Sequence, residues 1–248
     1  MNRHALVQYL DQLLTAKKFA DYCPNGLQVE GSSEIFKIVA GVSASLALID
    51  EAISQQADTI LVHHGYFWKG ENPSVLGFKK ERLKKLLTHN INLIAYHLPL
   101  DAHEVFGNNV QLAQHLNFEI LGQDETHHLL FYGQTKPQSV ADFTDFLTQQ
   151  LNRTPLVLGK NKSGQIRKIA WCSGAAQNYL NDAAALGVDA FLSGEVSEKT
   201  THEAKELGLY YFAIGHHASE RYGIQALAQH LAKEFPVECV FVDLPNPV

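Results

Sequence analysis

The stretch KIVAGVSASLALIDEAISQQADTILVHH, residues 37–64, decides the fold. Its apolar start predicts a strand, the apolar spacing of LALIDEAISQQ predicts a helix, and DTILV predicts a second strand. Strand, helix, strand is the βαβ unit, which joins parallel strands. The helical pattern LKKLLTHN and the apolar run INLIAYHL, residues 83–98, continue the alternation. The sequence therefore predicts an α/β fold with mixed, largely parallel sheets flanked by helices.

An internal repeat indicates that this unit occurs twice. Residues 168–195, KIAWCSGAAQNYLNDAAALGVDAFLSGE, overlie residues 37–64 with Asp189 on Asp58 and with the order of strand, turn, helix and strand preserved. Self-similarity of this kind is typical of duplicated architectures. We expect two similar α/β domains, 1–122 and 123–248, with the C-terminal segment packing back on the first domain.

Composition excludes several classes of protein. The 248 residues are 46% hydrophobic, which is ample for a core, and the net charge of -6 with one basic cluster at 79–85 makes nucleic acid an unlikely partner. Three widely spaced cysteines without a CxxC pair argue against a disulfide framework and favour a reducing compartment. No apolar run approaches the roughly 20 residues of a membrane span. We expect a cytoplasmic protein with no membrane contact.

Two adjacent histidines, His63 and His64, end the second strand of the βαβ unit in TILVHHGYFWKG, residues 59–70. Neighbouring side chains in a strand point to opposite faces, so the pair cannot easily chelate one ion while the strand stays regular. At a strand end before Gly65 they could serve two ions. From the pair alone, metal ligation and simple capping of the strand by polar side chains remain open.

Two further strand ends carry a histidine followed four residues later by a carboxylate. These pairs are His97 with Asp101 and His216 with Glu220. On a helix, residues four apart share a face, so His216 and Glu220 can converge on one ion or form an ordinary surface pair. Asp101, after Pro99, can be a ligand or the N-cap of a following helix. In open α/β sheets, ligands bind at the carboxyl ends of strands, where all these residues fall.

Taken together, these clusters supply more ligands than one tetrahedral ion needs. Three imidazoles and two carboxylates, from His63, His64, His216, Asp101 and Glu220, suit two ions with open positions. A carboxylate can bridge two ions and a neutral imidazole cannot, so Glu220 or Asp101 is the expected bridge. Without a cysteine ligand, zinc, manganese, iron, cobalt and nickel all remain open.

The chain resembles a known family in five short motifs. They are DYCPNGLQVEG (21–31), VHHGYFWKG (62–70), NLIAYHLPLDAH (92–103), GNN (107–109) and GHHASERYG (215–223). They are similar to those of the YbgI-like family, also known as GTP cyclohydrolase I type II homologues or Nif-three-like proteins. The resemblance spans nearly the whole chain and implies the Nif-three-like fold of two similar α/β domains, assembled as a toroidal homohexamer.

The same resemblance implies a dinuclear metal site at all five candidate ligands. In it, His64 and Asp101 bind one ion, His63 and His216 bind the other, and Glu220 bridges them. Two such ions activate a water and polarise an electrophile, which favours hydrolysis of a small substrate. The family label implies a nucleotide or purine substrate, although no phosphate-binding loop is evident. The alternative is a metal-binding, metal-delivery or scaffold protein without turnover.

Other residues near these motifs are candidates for supporting roles. Glu220 and His97 are the expected catalytic residues, and His97 is also expected to orient a ligand. His103 and Glu195 are further candidates for proton transfer or for orienting a ligand. The aromatic run 66–68 could stack on a heterocyclic substrate, or it could belong to the core or a subunit interface.

Overall fold

The computed structural model describes residues 1–125, 128–160 and 163–248 and divides them into two compact units. The first unit contains residues 1–107 and 223–244, and the second contains residues 108–222 and 245–248. The predicted boundary at Gly122 falls inside the second unit, within the strand Glu119–Gln123. Tyr222 and Gly223, which are neighbours in one helix, belong to different units.

The first unit is built on a five-stranded sheet with the order β1-β4-β3-β2-β11. Its strands are β1 (Gly26–Val29), β2 (Lys37–Ser43), β3 (Thr59–His64), β4 (Asn92–Ala95) and β11 (Glu238–Phe241). The strands β11, β2, β3 and β4 run parallel, and β1 pairs antiparallel with β4. β3 and β4 are almost entirely buried, as expected for parallel strands covered on both faces.

Helices cover both faces of this sheet. They are α1 (Arg3–Leu13), α2 (Leu46–Ser54), α3 (Gly77–Thr88), α4 (Leu98–Ala102) and the later part of α9 (His216–Glu234). Leu6 and Leu10 of α1 pack with Leu227 of α9 in one core cluster, whereas Leu48 of α2 and Leu86 of α3 lie in another. Helix α2 begins after Ser45, whose hydroxyl accepts the Leu48 N–H at 3.2 Å.

The second unit repeats the plan around a six-stranded sheet with the order β5-β6-β8-β9-β10-β7. Its strands are β5 (Glu119–Gln123), β6 (Phe131–Ser139), β7 (Leu156–Gly159), β8 (Gln165–Cys172), β9 (Ala190–Ser193) and β10 (Tyr210–Ala213). Its helices are α5 (Asn108–His115), α6 (Val140–Leu151), α7 (Leu180–Ala185), α8 (Glu198–Leu207) and the start of α9. Strands β8, β9 and β10 are parallel, and the other pairs are antiparallel.

The internal repeat is present in the structure at the level of single hydrogen bonds. Asp58, before β3, accepts the backbone N–H groups of Phe36 and Lys37 at 2.7 and 3.1 Å. Asp189, before β9, accepts those of Arg167 and Lys168 at 3.0 and 2.9 Å. The parallel strands β2-β3-β4 of the first unit therefore correspond to β8-β9-β10 of the second, which confirms the predicted α/β fold with related halves.

Within the described parts of the chain, no helix combines the length and the apolar character that crossing a bilayer requires.

Candidate metal centre

His63 and His64 close strand β3 at the carboxyl end of the parallel sheet. His63 is completely buried and His64 is half-buried. Their ring centroids lie 4.5 Å apart, which is closer than the opposite faces of a regular strand would place them. The strand ends at His64, so the alternation that separates side chains within a strand no longer holds the two rings apart.

The Nδ1 atom of each imidazole has a partner that orients the ring. His63 Nδ1 lies 3.0 Å from the carbonyl oxygen of Tyr96, which can only accept, so this nitrogen donates and Nε2 carries the lone pair. His64 Nδ1 lies 3.0 Å from Ser43 Oγ, on the neighbouring strand β2. Metal-binding histidines are usually fixed in this way through the nitrogen that does not bind the metal.

Asp101 lies beside His63 on the short helix α4. Its Oδ1 is 3.5 Å from His63 Nε2, and the side chain is 9% exposed. Asp101 is inside α4 and not at the N-cap of α5, which begins at Asn108, so the capping alternative is wrong. The resemblance pairs Asp101 with His64, whereas the observed distance favours His63 as its partner at one ion.

His97 is the third imidazole of this cluster. Its ring centroid lies 5.1 Å from that of His63 and 5.7 Å from that of His64, and one ring nitrogen of each of the three lies within 4.8 Å of the others. The sequence suggested only proton transfer or orientation of a ligand for His97. The structure places it where it could also bind an ion directly.

His97 is held by Asp21, which the sequence did not single out. Asp21 Oδ1 accepts His97 Nδ1–H at 2.7 Å, and Oδ2 accepts the Leu98 N–H at 2.9 Å and the Asn25 side-chain amide at 2.8 Å. Burial opposes ionisation of Asp21, but its hydrogen bond with His97, the charge of that ring and the bond from Asn25 together lower its pKa to about 2. Asp21 therefore remains a carboxylate that fixes the tautomer of His97 with its lone pair on Nε2.

The second unit has a histidine and carboxylate cluster at the carboxyl ends of β9 and β10. His216, the first residue of α9, has Nε2 3.0 Å from Glu220 Oε2 and Nδ1 2.7 Å from Glu195 Oε1. Glu220 is 2% exposed, so the pair is not an ordinary surface pair. Burial alone would lower the pKa of His216, but the hydrogen bonds and charges of Glu220 and Glu195 outweigh it and raise the pKa to about 9. An ion on Nε2 would take the place of that proton.

Glycine creates the space that Glu220 occupies. Gly174 has a φ of +67°, and a Cβ placed on it would overlap Glu220 Oε1. The Gly174 N–H donates to Ser219 Oγ at 3.0 Å, and the Ser193 hydroxyl donates to the Gly174 carbonyl at 3.1 Å. The turn after β8 is thus shaped around the Glu220 carboxylate.

Two neighbouring residues have other roles. His103 Nδ1 accepts the N–H groups of Val105 and Phe106 at 3.1 and 3.0 Å, so it stabilises a turn. Cys23 could share an ion with Asp21 and His97, but burial and the Asp21 charge raise the pKa of its thiol to about 12. Because the thiolate is the form that binds metal, Cys23 is a poor ligand.

The donors in these clusters fit a metal. Neutral imidazole nitrogens and carboxylate oxygens suit divalent first-row transition metals, and His, Asp and Glu side chains at these strand ends lie close enough together to bind one. The fold and these clusters define an α/β protein of two related halves, with histidine and carboxylate groups at the carboxyl ends of equivalent strands.

Comparison with known proteins identifies the family. Residues 1–247 match the model of the Duf34/NIF3 (NGG1p interacting factor 3) family, so the chain belongs to that family. It is 52% identical to the GTP cyclohydrolase 1 type 2 homolog of Pseudomonas aeruginosa over 98% of this chain and 97% of that one. The family resemblance predicted from the motifs is confirmed.

Solved structures agree with the fold. The protein ybgI, described as of unknown function, superposes with a TM-score of 0.97 at 46% identity over 100% of both chains. Reduced HcgD from Methanocaldococcus jannaschii superposes with a TM-score of 0.86 over 98% of both chains, and at 24% identity this likeness concerns the fold alone.

Proposed function

We propose that this chain is a metal-dependent hydrolase with two divalent ions per subunit. The five ligands are His63, His64, Asp101, His216 and Glu220. When bound, such a pair of ions activates water and polarises the electrophile of a small substrate, which the names of the relatives suggest is a nucleotide or purine. Glu220 is the proposed bridge between the two ions.

The observation that carries the proposal is the orientation of the imidazoles. Carbonyl and carboxylate acceptors face Nδ1 of His63, His97 and His216, each from a different part of the chain. Histidines that only filled space in a core would not need an acceptor at Nδ1, and here three histidines at strand ends have one. Since the Asp101 carboxylate lies beside His63 Nε2, we assign His63 and Asp101 to one ion and His64 and His216 to the other.

We assign proton transfer to His97 and Glu220. Because the Asp21 carboxylate accepts from Nδ1 of His97, Nε2 can take a proton from water and return it to a leaving group. The Asp21 carboxylate would also stabilise the imidazolium that forms on His97, since the Nδ1–H of that ring remains bonded to it. Glu220, buried against Gly174, holds its oxygens in one place throughout.

We further propose that the protein is a toroidal homohexamer in the cytoplasm, as the family resemblance implies. Large apolar side chains that the single chain leaves exposed support an assembly, among them Leu76 and Phe78 in the first unit and Leu121 in the second. The odd number of cysteines supports a reducing compartment.

The test is activity of the metal-loaded protein against nucleotides, phosphoesters and peptides. We expect turnover of at least one substrate, lost by 100-fold or more (~2.7 kcal/mol or more) in Glu220→Gln. Glu198→Gln makes the same change on an exposed carboxylate of α8 and is expected to leave activity unchanged. Activity that survives Glu220→Gln would rule out this site. Full metal occupancy without turnover of any substrate would favour the metal-binding or scaffold role.

A further inference from the structure

Two aromatic rings lie next to the imidazole cluster of the first unit. Trp68 meets His97 edge-on, with ring centroids 5.0 Å apart, and lies 6.0 Å from His64. Tyr22 lies 6.5 Å from His97 on the same centroid measure. We infer that Tyr22 and Trp68 form a stacking subsite for a planar heteroaromatic ring of the substrate, an inference that rests on the proposed hydrolytic site and narrows its substrate class.

The aromatic run 66–68 divides into residues with different roles. Tyr66 is buried, and its hydroxyl donates to the Ala44 carbonyl at 2.7 Å, so it is part of the core. Phe67 is 37% exposed, with the Lys79 ammonium 5.5 Å from its ring centre. Trp68 is therefore the member of the run that contacts the imidazoles.

The position of Trp68 is fixed by its surroundings. Its backbone N–H donates to Glu71 Oε2 at 3.1 Å, and its indole N–H donates to the Gly65 carbonyl at 3.2 Å. Phe67, directly before it, has a φ of +65°, a conformation that is rare for a bulky residue. Backbone held against its preference, immediately before a ring beside candidate ligands, is typical of a binding site.

Tyr22 is tied to the same place but buries little of its ring. Its backbone N–H donates to Asp21 Oδ1 at 2.6 Å, and its carbonyl accepts the Lys69 N–H at 2.6 Å. The segments that carry the two aromatics are thus joined directly. Tyr22 as a residue remains 62% exposed, so it contributes little to the core and is available to a ligand.

The chemistry of the two rings selects the ligand. The indole N–H is already bonded to Gly65, so Trp68 offers its π-surface and no further donor. Stacking on a π-surface accepts any planar base and discriminates little among them. An aromatic pair can also hold an organic cation, but two divalent ions nearby would repel one. A neutral heteroaromatic ring, as in a nucleobase, can stack on the π-surface of Trp68 and is not repelled by the positive charge of the two proposed ions.

Intrinsic fluorescence offers a direct test, because the sequence has two tryptophans and the other, Trp171, is fully buried in the second unit. We expect GTP and ATP to quench Trp68 with similar affinity, and ribose 5-phosphate and tripolyphosphate to leave its emission unchanged. By calorimetry, Tyr22→Leu and Trp68→Leu are expected to weaken nucleotide binding about 5- to 150-fold each, which is the range for loss of one stacking contact. Tyr22→Phe keeps the ring and should bind as the wild type.

Phe36→Leu is the matched control, since Phe36 is 68% exposed and also precedes a strand of the first unit. Wild-type nucleotide affinity in both Leu variants, or equal binding of the base-free phosphates, would overturn the subsite. Metal content is measured on every sample. Nucleotide binding is measured again after the metal has been removed. A wild-type protein that holds metal but binds no nucleotide contradicts the subsite alone, whereas a wild-type protein that binds nucleotides but no metal contradicts the proposed hydrolase and keeps the subsite.

Discussion

Two of the histidines are oriented by a neighbouring carboxylate that does not itself need to bind an ion. Asp21 does this for His97 and Glu195 does it for His216, both through a carboxylate 2.7 Å from Nδ1. Carboxylates in this position raise the basicity of the ring and fix its tautomer. Their removal should therefore be visible in metal affinity without loss of the fold.

Glu195→Gln tests that role. The amide oxygen can still accept from His216 Nδ1, but the negative charge is gone, so we expect metal affinity at the site to fall about 10- to 100-fold. Competition with a chelator of known affinity measures the change. Glu198→Gln, on the exposed Glu198–His202 pair of α8, is the control and should bind metal as the wild type does. Unchanged affinity in Glu195→Gln would show that the carboxylate does not support the site.

Gly174→Ala tests the space made for Glu220. The added methyl group would overlap Glu220 Oε1, so we expect the variant to lose at least one bound ion as measured by elemental analysis. Gly187→Ala is a close control, because Gly187 has nearly the same φ, +66°, and nothing within 4 Å of an added Cβ. Both variants carry a similar backbone strain, roughly 1–2 kcal/mol, because alanine disfavours the left-handed conformation. Equal metal content in the two would mean that the Glu220 carboxylate does not need this position.

At the scale of elements, the duplicated βαβ unit was the part of the fold that sequence could predict. The continuous apolar runs of β2, β3 and β4 are distinctive because both faces of a parallel sheet are covered. The stretch that forms β6 is harder to predict, since β6 is half-exposed along most of its length and contains Pro137. A half-buried antiparallel strand with an interrupted alternation gives little signal.

The two aspartates that precede β3 and β9 make the duplication testable. Asp58→Ala and Asp189→Ala each leave two backbone N–H groups without their acceptor, so we expect each to lower the free energy of unfolding by about 1–3 kcal/mol in urea titrations. Asp50→Ala removes the exposed ion pair with Lys85 and should cost no more than about 1 kcal/mol. If the two variants were no more destabilised than this control, the shared contacts would not be structural anchors.

The candidate site was predictable to the extent that its residues had a distinctive pattern. Two histidines at the end of a buried strand, and a His-x-x-x-Glu at the start of a helix, stand out by residue type and position. Asp21 and Tyr22 do not, because they lie in a loop where Asp is common and because their contact with His97 depends on the tertiary fold. The contact of Asp101 with His63 likewise depends on the tertiary fold.

At the scale of the whole molecule, the proposed assembly is measurable. Light scattering with size-exclusion chromatography should give six times the chain mass of 27.6 kDa. Leu76 and Phe78 are exposed apolar side chains of the single chain. Substitution of either by serine should shift the measured mass toward smaller species. A monomer of unchanged activity would contradict the hexamer and leave the metal site unaffected.

Elemental analysis of the purified wild-type protein tests the metal site most directly. The five ligands predict two divalent ions per chain, one or both of which are lost in Glu220→Gln and retained in Glu198→Gln. Because bound metal stabilises the folded state, the same samples should unfold at a lower temperature after chelation. A wild-type chain that holds no divalent metal after incubation with zinc, manganese, iron, cobalt or nickel would contradict the dinuclear site.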